Sequence, residues 1–66
     1  MVKIVANGQE AGIETDRLSD FLTSSGWKPT QVVVELNGQV VARSKVGEIR
    51  LKDGDRLEVI VPVAGG

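Results

Sequence analysis

Two Asn-Gly dipeptides, Asn7-Gly8 and Asn37-Gly38, each sit between short apolar runs and commit this chain to a fold built around two β-hairpins. A two-residue type I′ turn needs positive φ at both central positions, and Asn followed by Gly meets that need with the least steric penalty. Before the first turn, Val2-Lys3-Ile4-Val5-Ala6 reads as a strand with Lys3 on one face and Val2, Ile4 and Ala6 on the other. Residues 10–14 return as a weaker second strand. Around the second turn, residues 31–36 form the most β-branched stretch of the chain, and residues 39–42 a short partner.

Between the hairpins the period changes. Leu18, Phe21, Leu22 and Ser25 recur at helical spacing, while Asp16, Arg17, Ser19, Asp20 and Thr23 take the other side. Thr15 is the expected N-cap, and Asp16 suits the positive end of the helix dipole. Gly26 stands where a left-handed C-terminal cap belongs, and Pro29 forbids continuation. Phe21 is read as core and Trp27 as a lid over the core edge; Asp16 and Asp20 belong to a solvated face. Residues 43–49 are irregular with room for one helical turn, with Val46 and Ile49 dipping inward. Residues 52–55 make a tight turn, and residues 56–61 a last strand with Leu57, Val59 and Val61 inward.

The order is therefore strand, strand, helix, strand, strand, strand. The hairpins and the last strand share one apolar face, and a single helix must cover it. An α+β fold follows. A mixed sheet of four to five strands wrapped over one helix, the ubiquitin-like β-grasp, satisfies the pattern, and a hairpin-helix-hairpin with another strand order does so too. Residues 1–62 are expected to form a single domain and residues 63–66 a flexible tail.

The 66 residues make one small domain, which buries only about 60% of its unfolded surface. The sequence holds no cysteine and no histidine, which excludes disulfides, thiolate nucleophiles, zinc fingers and Ser-His-Asp chemistry. No acidic spacing resembles a calcium loop or a carboxylate dyad, so neither metal nor bound cofactor is expected. Eight Lys/Arg against nine Asp/Glu give a net charge of −1. Without a basic block, and with Phe21 and Trp27 the only aromatics, nucleic-acid binding is not expected. Apolar runs are too short to span a bilayer, and no signal-peptide pattern opens the chain, so a cytoplasmic protein with no membrane partner is expected.

The sequence ends on Val63-Ala64-Gly65-Gly66. A terminal glycine presents a carboxylate with no side chain beside it, so the tail can enter a narrow channel and its carbonyl can be reached from either face. That carboxylate is ionised at neutral pH, its reference pKa being about 3.3–3.7, and is a poor electrophile until something activates it. Nucleotidyl transfer from ATP is the simplest activation.

Three segments taken together resemble the ThiS family, the sulfur-carrier proteins of thiamine biosynthesis. They are Val33-Val34-Glu35-Leu36-Asn37-Gly38-Gln39-Val40-Val41 with Arg43, then Leu51-Lys52-Asp53-Gly54-Asp55-Arg56-Leu57-Glu58-Val59, then Ala64-Gly65-Gly66. Asn7-Gly8 also suits the family. Ala42 stands where its members often carry proline, and Val46 near where they carry tryptophan. Val61-Pro62-Val63 leans toward the small subunit of molybdopterin synthase.

The resemblance implies a β-grasp fold and a cycle in which this chain is a protein cosubstrate and not an enzyme. An E1-like adenylyltransferase (ThiF-type) uses ATP to adenylate Gly66. A sulfur donor such as a cysteine desulfurase persulfide displaces AMP to leave a thiocarboxylate, and thiazole synthase (ThiG-type) takes the sulfur. Gly66 is then the reactive end, with Gly65 beside it, and Pro62, Val63 and Ala64 are expected to touch partners. Alternatives are the molybdopterin synthase subunit, a β-grasp interaction domain with inert glycines, and a modifier joined to lysines.

Strand alternation sends Val5, Val33 and Ile60 to the face opposite the helix, where polar residues are the rule. Clustered on neighbouring central strands, they would form a partner-docking patch leading toward the tail, with Arg43 and Arg56 either at its rim or simply solubilising charge.

Overall fold

The computed structural model describes residues 1–62. Strands β1 (Val2–Ala6) and β2 (Gln9–Ile13) pair antiparallel with Ala6 opposite Gln9, which leaves Asn7 and Gly8 as the whole turn, at φ 51° and 81°. Strands β3 (Val33–Leu36) and β4 (Gln39–Val41) repeat the design with Leu36 opposite Gln39 and Asn37 and Gly38 at φ 52° and 85°. Both turns thus have the positive φ pair expected of type I′.

Helix α1 (Leu18–Ser24) turns Leu18, Phe21 and Leu22 to the core. Its C-terminus is a Schellman motif: Gly26 N–H donates to the Thr23 carbonyl, Trp27 N–H donates to the Leu22 carbonyl, and Gly26 sits at φ 86°. The Trp27 ring then meets Phe21 edge-on at 6.5 Å, the apolar contact that accompanies this cap. The N-terminus differs from expectation. The capping position belongs to Arg17, with no side-chain cap, and Thr15 lies two residues upstream. Thr15 Oγ1 instead accepts the Arg17 N–H and donates to Asp20, the acid of the first turn. Asp16 pairs with Arg50 at 3.0 Å, and the Leu18 N–H finds the Ile49 carbonyl. A long-range bridge between Arg17 and Arg50 takes the place of a local cap.

Residues 29–31 form a 3₁₀ turn opened by Pro29, so β3 begins two residues later than expected, although Val32 is still buried. A second 3₁₀ segment (Arg43–Glu48) buries Val46 and leads into the partly buried Ile49.

Strand β5 (Arg56–Ile60) completes a sheet of order β2-β1-β5-β3-β4, parallel to β1 and antiparallel to β3. This mixed five-stranded sheet over one main helix is the β-grasp arrangement. The core lies between sheet and helix: Ile4, Val34, Leu57 and Val59 face Leu18, Phe21 and Leu22, with Val32, Val46 and Leu51 closing its ends. Each such side chain contributes about 1.5–3 kcal/mol by leaving water. Val61, expected to face inward, lies past the end of β5 and is 60% exposed, because no strand remains there to hold the alternation.

Candidate functional site

The central strand β5 carries the candidate site, because it leads directly into the tail. Its inward residues are Leu57 and Val59; Arg56, Glu58 and Ile60 point away from the helix. The register with β3 sets Val33 opposite Ile60 and Glu35 opposite Glu58, while β4 sets Val40 opposite Glu35. Partners across a sheet share a face. The outer surface therefore shows an apolar rung, Val33 with a 43% exposed Ile60, beside a rung of Val40 and two carboxylates.

Val5 stands elsewhere. It is opposite Arg56 on β5 and Glu10 on β2, four residues before Ile60 and so about 13 Å along the strand. Structure thus joins Val33 and Ile60 and separates Val5 from them by the Glu58 rung. Arg56 is Val5's own partner, at the end of β5 away from Ile60, and does not rim the Val33–Ile60 pair.

Past Ile60, Val61 and Pro62 are exposed and extend the apolar surface toward the tail. Val63, Ala64, Gly65 and Gly66, the remaining expected site residues, lie outside the described residues.

The other end of β5 is held by polar contacts. Asn37 donates its N–H to the Arg56 carbonyl at 2.8 Å and accepts the Arg56 N–H on Oδ1 at 2.9 Å. Its Nδ2 donates to Asp55, a carboxylate only 5% exposed whose second oxygen accepts the Lys52 N–H. Asn7 repeats the pattern further along, donating N–H to the Leu57 carbonyl and accepting the Val59 N–H on Oδ1 at 2.8 Å. Neither side-chain role is legible in the dipeptides themselves, since each depends on β5 lying between the two turns. The same holds for Glu35 and Glu58. Alternation alone sends both outward, but their opposition needs the register.

No group of three or more metal-ligating side chains exists among the described residues, and every buried side-chain polar atom there has a partner. None of their helices is long and apolar enough to cross a membrane. The arrangement is an apolar rung on the outer face of the sheet and a strand held near both ends by asparagine side chains.

The family model for the ThiS family matches residues 3–66. Among solved structures, the crystal structure of a thiamine biosynthesis protein (ThiS) from Geobacter metallireducens superposes with a TM-score of 0.83 at 26% identity, covering 98% of this chain and 100% of that one. A solution structure of a thiamine biosynthesis protein from the same organism gives 0.77 at 29% identity, covering 98% and 88%. A thiazole synthase from Paramagnetospirillum magneticum is 30% identical over 66 residues, 98% of this chain but only 20% of that protein, so this chain spans about a fifth of that relative's length. Sheet order, core pattern and family match agree, and the chain belongs to the ThiS family of small β-grasp sulfur carriers of thiamine biosynthesis.

Proposed function

We propose that this chain carries sulfur as a thiocarboxylate on Gly66 and delivers it to a thiazole synthase. The carrying observation is the family match, which runs through the diglycine to Gly66. The Gly66 carboxylate attacks the α-phosphorus of ATP in an E1-like adenylyltransferase, releasing pyrophosphate and forming an acyl adenylate. The terminal sulfur of a persulfide, such as a cysteine desulfurase provides, attacks the acyl carbon and AMP leaves. A thiol then cleaves the S–S bond, freeing the thiocarboxylate and itself becoming part of a disulfide. None of these steps asks for an acid, base or nucleophile from this chain beyond the terminal carboxylate, in keeping with a sequence that has no cysteine or histidine.

The rung of half-buried Val33 and exposed Ile60, continued by Val61 and Pro62, serves as the docking surface for the activating enzyme and the synthase. The thiazole pathway is favoured over the molybdopterin alternative by the thiazole synthase whose sequence contains a segment like this chain.

The test is the intact mass of the protein after incubation with a ThiF-type enzyme, ATP and a persulfide source. Replacement of one oxygen by sulfur is expected, reversed when thiazole synthase and its small-molecule substrates are added. An unchanged mass in the first step would overturn the carrier reading. A mass reversed only by molybdopterin synthase would overturn the assignment to thiazole.

A further inference from the structure

The rungs of the parallel β1–β5 ladder follow a fixed order, and one of them is made by a side chain. Val5 N–H donates to the Asp55 carbonyl at 2.9 Å, and Asn7 N–H to the Leu57 carbonyl at 2.9 Å. The next rung of such a ladder would run from the Val59 N–H to the main-chain carbonyl of Asn7. Asn7 has already entered the turn at φ 51°, and the bond goes to its side-chain oxygen instead. The amide side chain thus stands in for a strand residue where β1 has ended.

This substitution falls at a particular place. Beyond Asn7, β5 continues for Val59 and Ile60 with β3 on one side only. The Asn7 carboxamide is the tether on the other side, and it acts at the last inward residue of the strand. From Ile60 to Gly66 there are six residues, a reach of at most about 20–22 Å when fully extended. Where β5 is released from the sheet therefore sets the distance between the docked face and the reactive carbon.

We propose that Asn7 is a positioning residue for the C-terminal carboxylate: it holds the β1 side of β5 at Val59, while β3 holds the other side through Ile60. The inference rests on the sulfur-carrier reading above. Asn37 is the built-in comparison. It makes the same pair of contacts to β5, plus one to Asp55, but at Arg56, the end of the strand away from the tail.

The experiment measures adenylation of the full chain by the activating enzyme, as ATP–pyrophosphate exchange, in four variants. Asn7→Gly keeps a turn-compatible residue at positive φ and removes the tether. Asn7→Ser, too short to reach Val59, is the second form of the same loss. Asn7→Asp keeps an acceptor oxygen on a residue that tolerates the left-handed region. Asn37→Gly removes the matching contacts at the far end. Since a misplacement of about 1 Å at a reacting atom can lower a rate about a hundredfold, Asn7→Gly and Asn7→Ser are expected to lower kcat about tenfold or more, with KM within about twofold. Asn7→Asp is expected to recover most of the loss, and Asn37→Gly to leave kcat near wild type despite losing more hydrogen bonds. Amide exchange of the Val59 N–H, measured without any partner, should quicken in the first two variants alone.

Wild-type kcat in the folded Asn7→Gly and Asn7→Ser proteins would overturn the proposal. So would an equal kcat loss in Asn37→Gly, which would mark the effect as general destabilisation, or a loss confined to KM. A wild-type chain never adenylated under any condition would overturn the carrier reading itself, and this control separates the two failures.

Discussion

Glu35 and Glu58 stand directly opposite each other on β3 and β5, two carboxylates on the sheet face that α1 leaves open. Like charges at directly opposed positions destabilise a sheet. Replacing Glu58 with Lys should therefore raise stability by about 0.2–1 kcal/mol, read as a higher urea midpoint at unchanged slope. If the charge pair also orients a partner, the same variant will bind the activating enzyme less well while being the more stable protein. A Glu58→Lys protein less stable than wild type would show that the two carboxylates do not face each other across β3 and β5.

The two faces of β5 should respond in opposite ways. Ile60 is exposed on the outer face, so Ile60→Asp should leave the thermal transition nearly unchanged and weaken binding to the activating enzyme. Leu57 is 1% exposed, and Leu57→Ala should cost about 2–5 kcal/mol by cavity formation. That is most of the stability of a domain this small. Unfolding by Ile60→Asp would mean that inner and outer faces have been exchanged.

Asp55 holds together the turn before β5, accepting from Asn37 Nδ2 and from the Lys52 N–H while largely buried. Asp55→Ala leaves both donors without their acceptor and should cost about 1–3 kcal/mol by chemical denaturation. An Asn37→Ala, Asp55→Ala double-mutant cycle should show coupling between the two residues. Additive effects would show that the bond contributes nothing.

Deleting Gly66, or adding one residue after it, should abolish sulfur loading and leave folding and partner binding largely as they were. The reacting carbon must reach the nucleotide phosphate, and one residue moves it by about 3.3–3.6 Å. Intact mass after loading is the measurement. Normal thiocarboxylate formation in the protein lacking Gly66 would sink the mechanism.

Much of this protein is determined by neighbours in sequence. The Asn-Gly turns at residues 7–8 and 37–38, the Gly26 cap with its Trp27–Phe21 contact, and the inward alternation of Ile4, Leu57 and Val59 are short-range consequences of backbone angles and side-chain periodicity. Family membership is legible for a related reason, since turns, core pattern and diglycine all lie in contiguous stretches. The tertiary structure alone decides that β5 lies between β1 and β3, and the rest depends on that placement. It brings the Asn7 and Asn37 side chains onto β5, sets Glu35 against Glu58, and parts Val5 from the Val33–Ile60 pair. It also moves the helix start from a cap at Thr15 to contacts with Ile49 and Arg50. Each of these is a pairing between residues far apart in the chain, and no local preference encodes which strand will lie beside which.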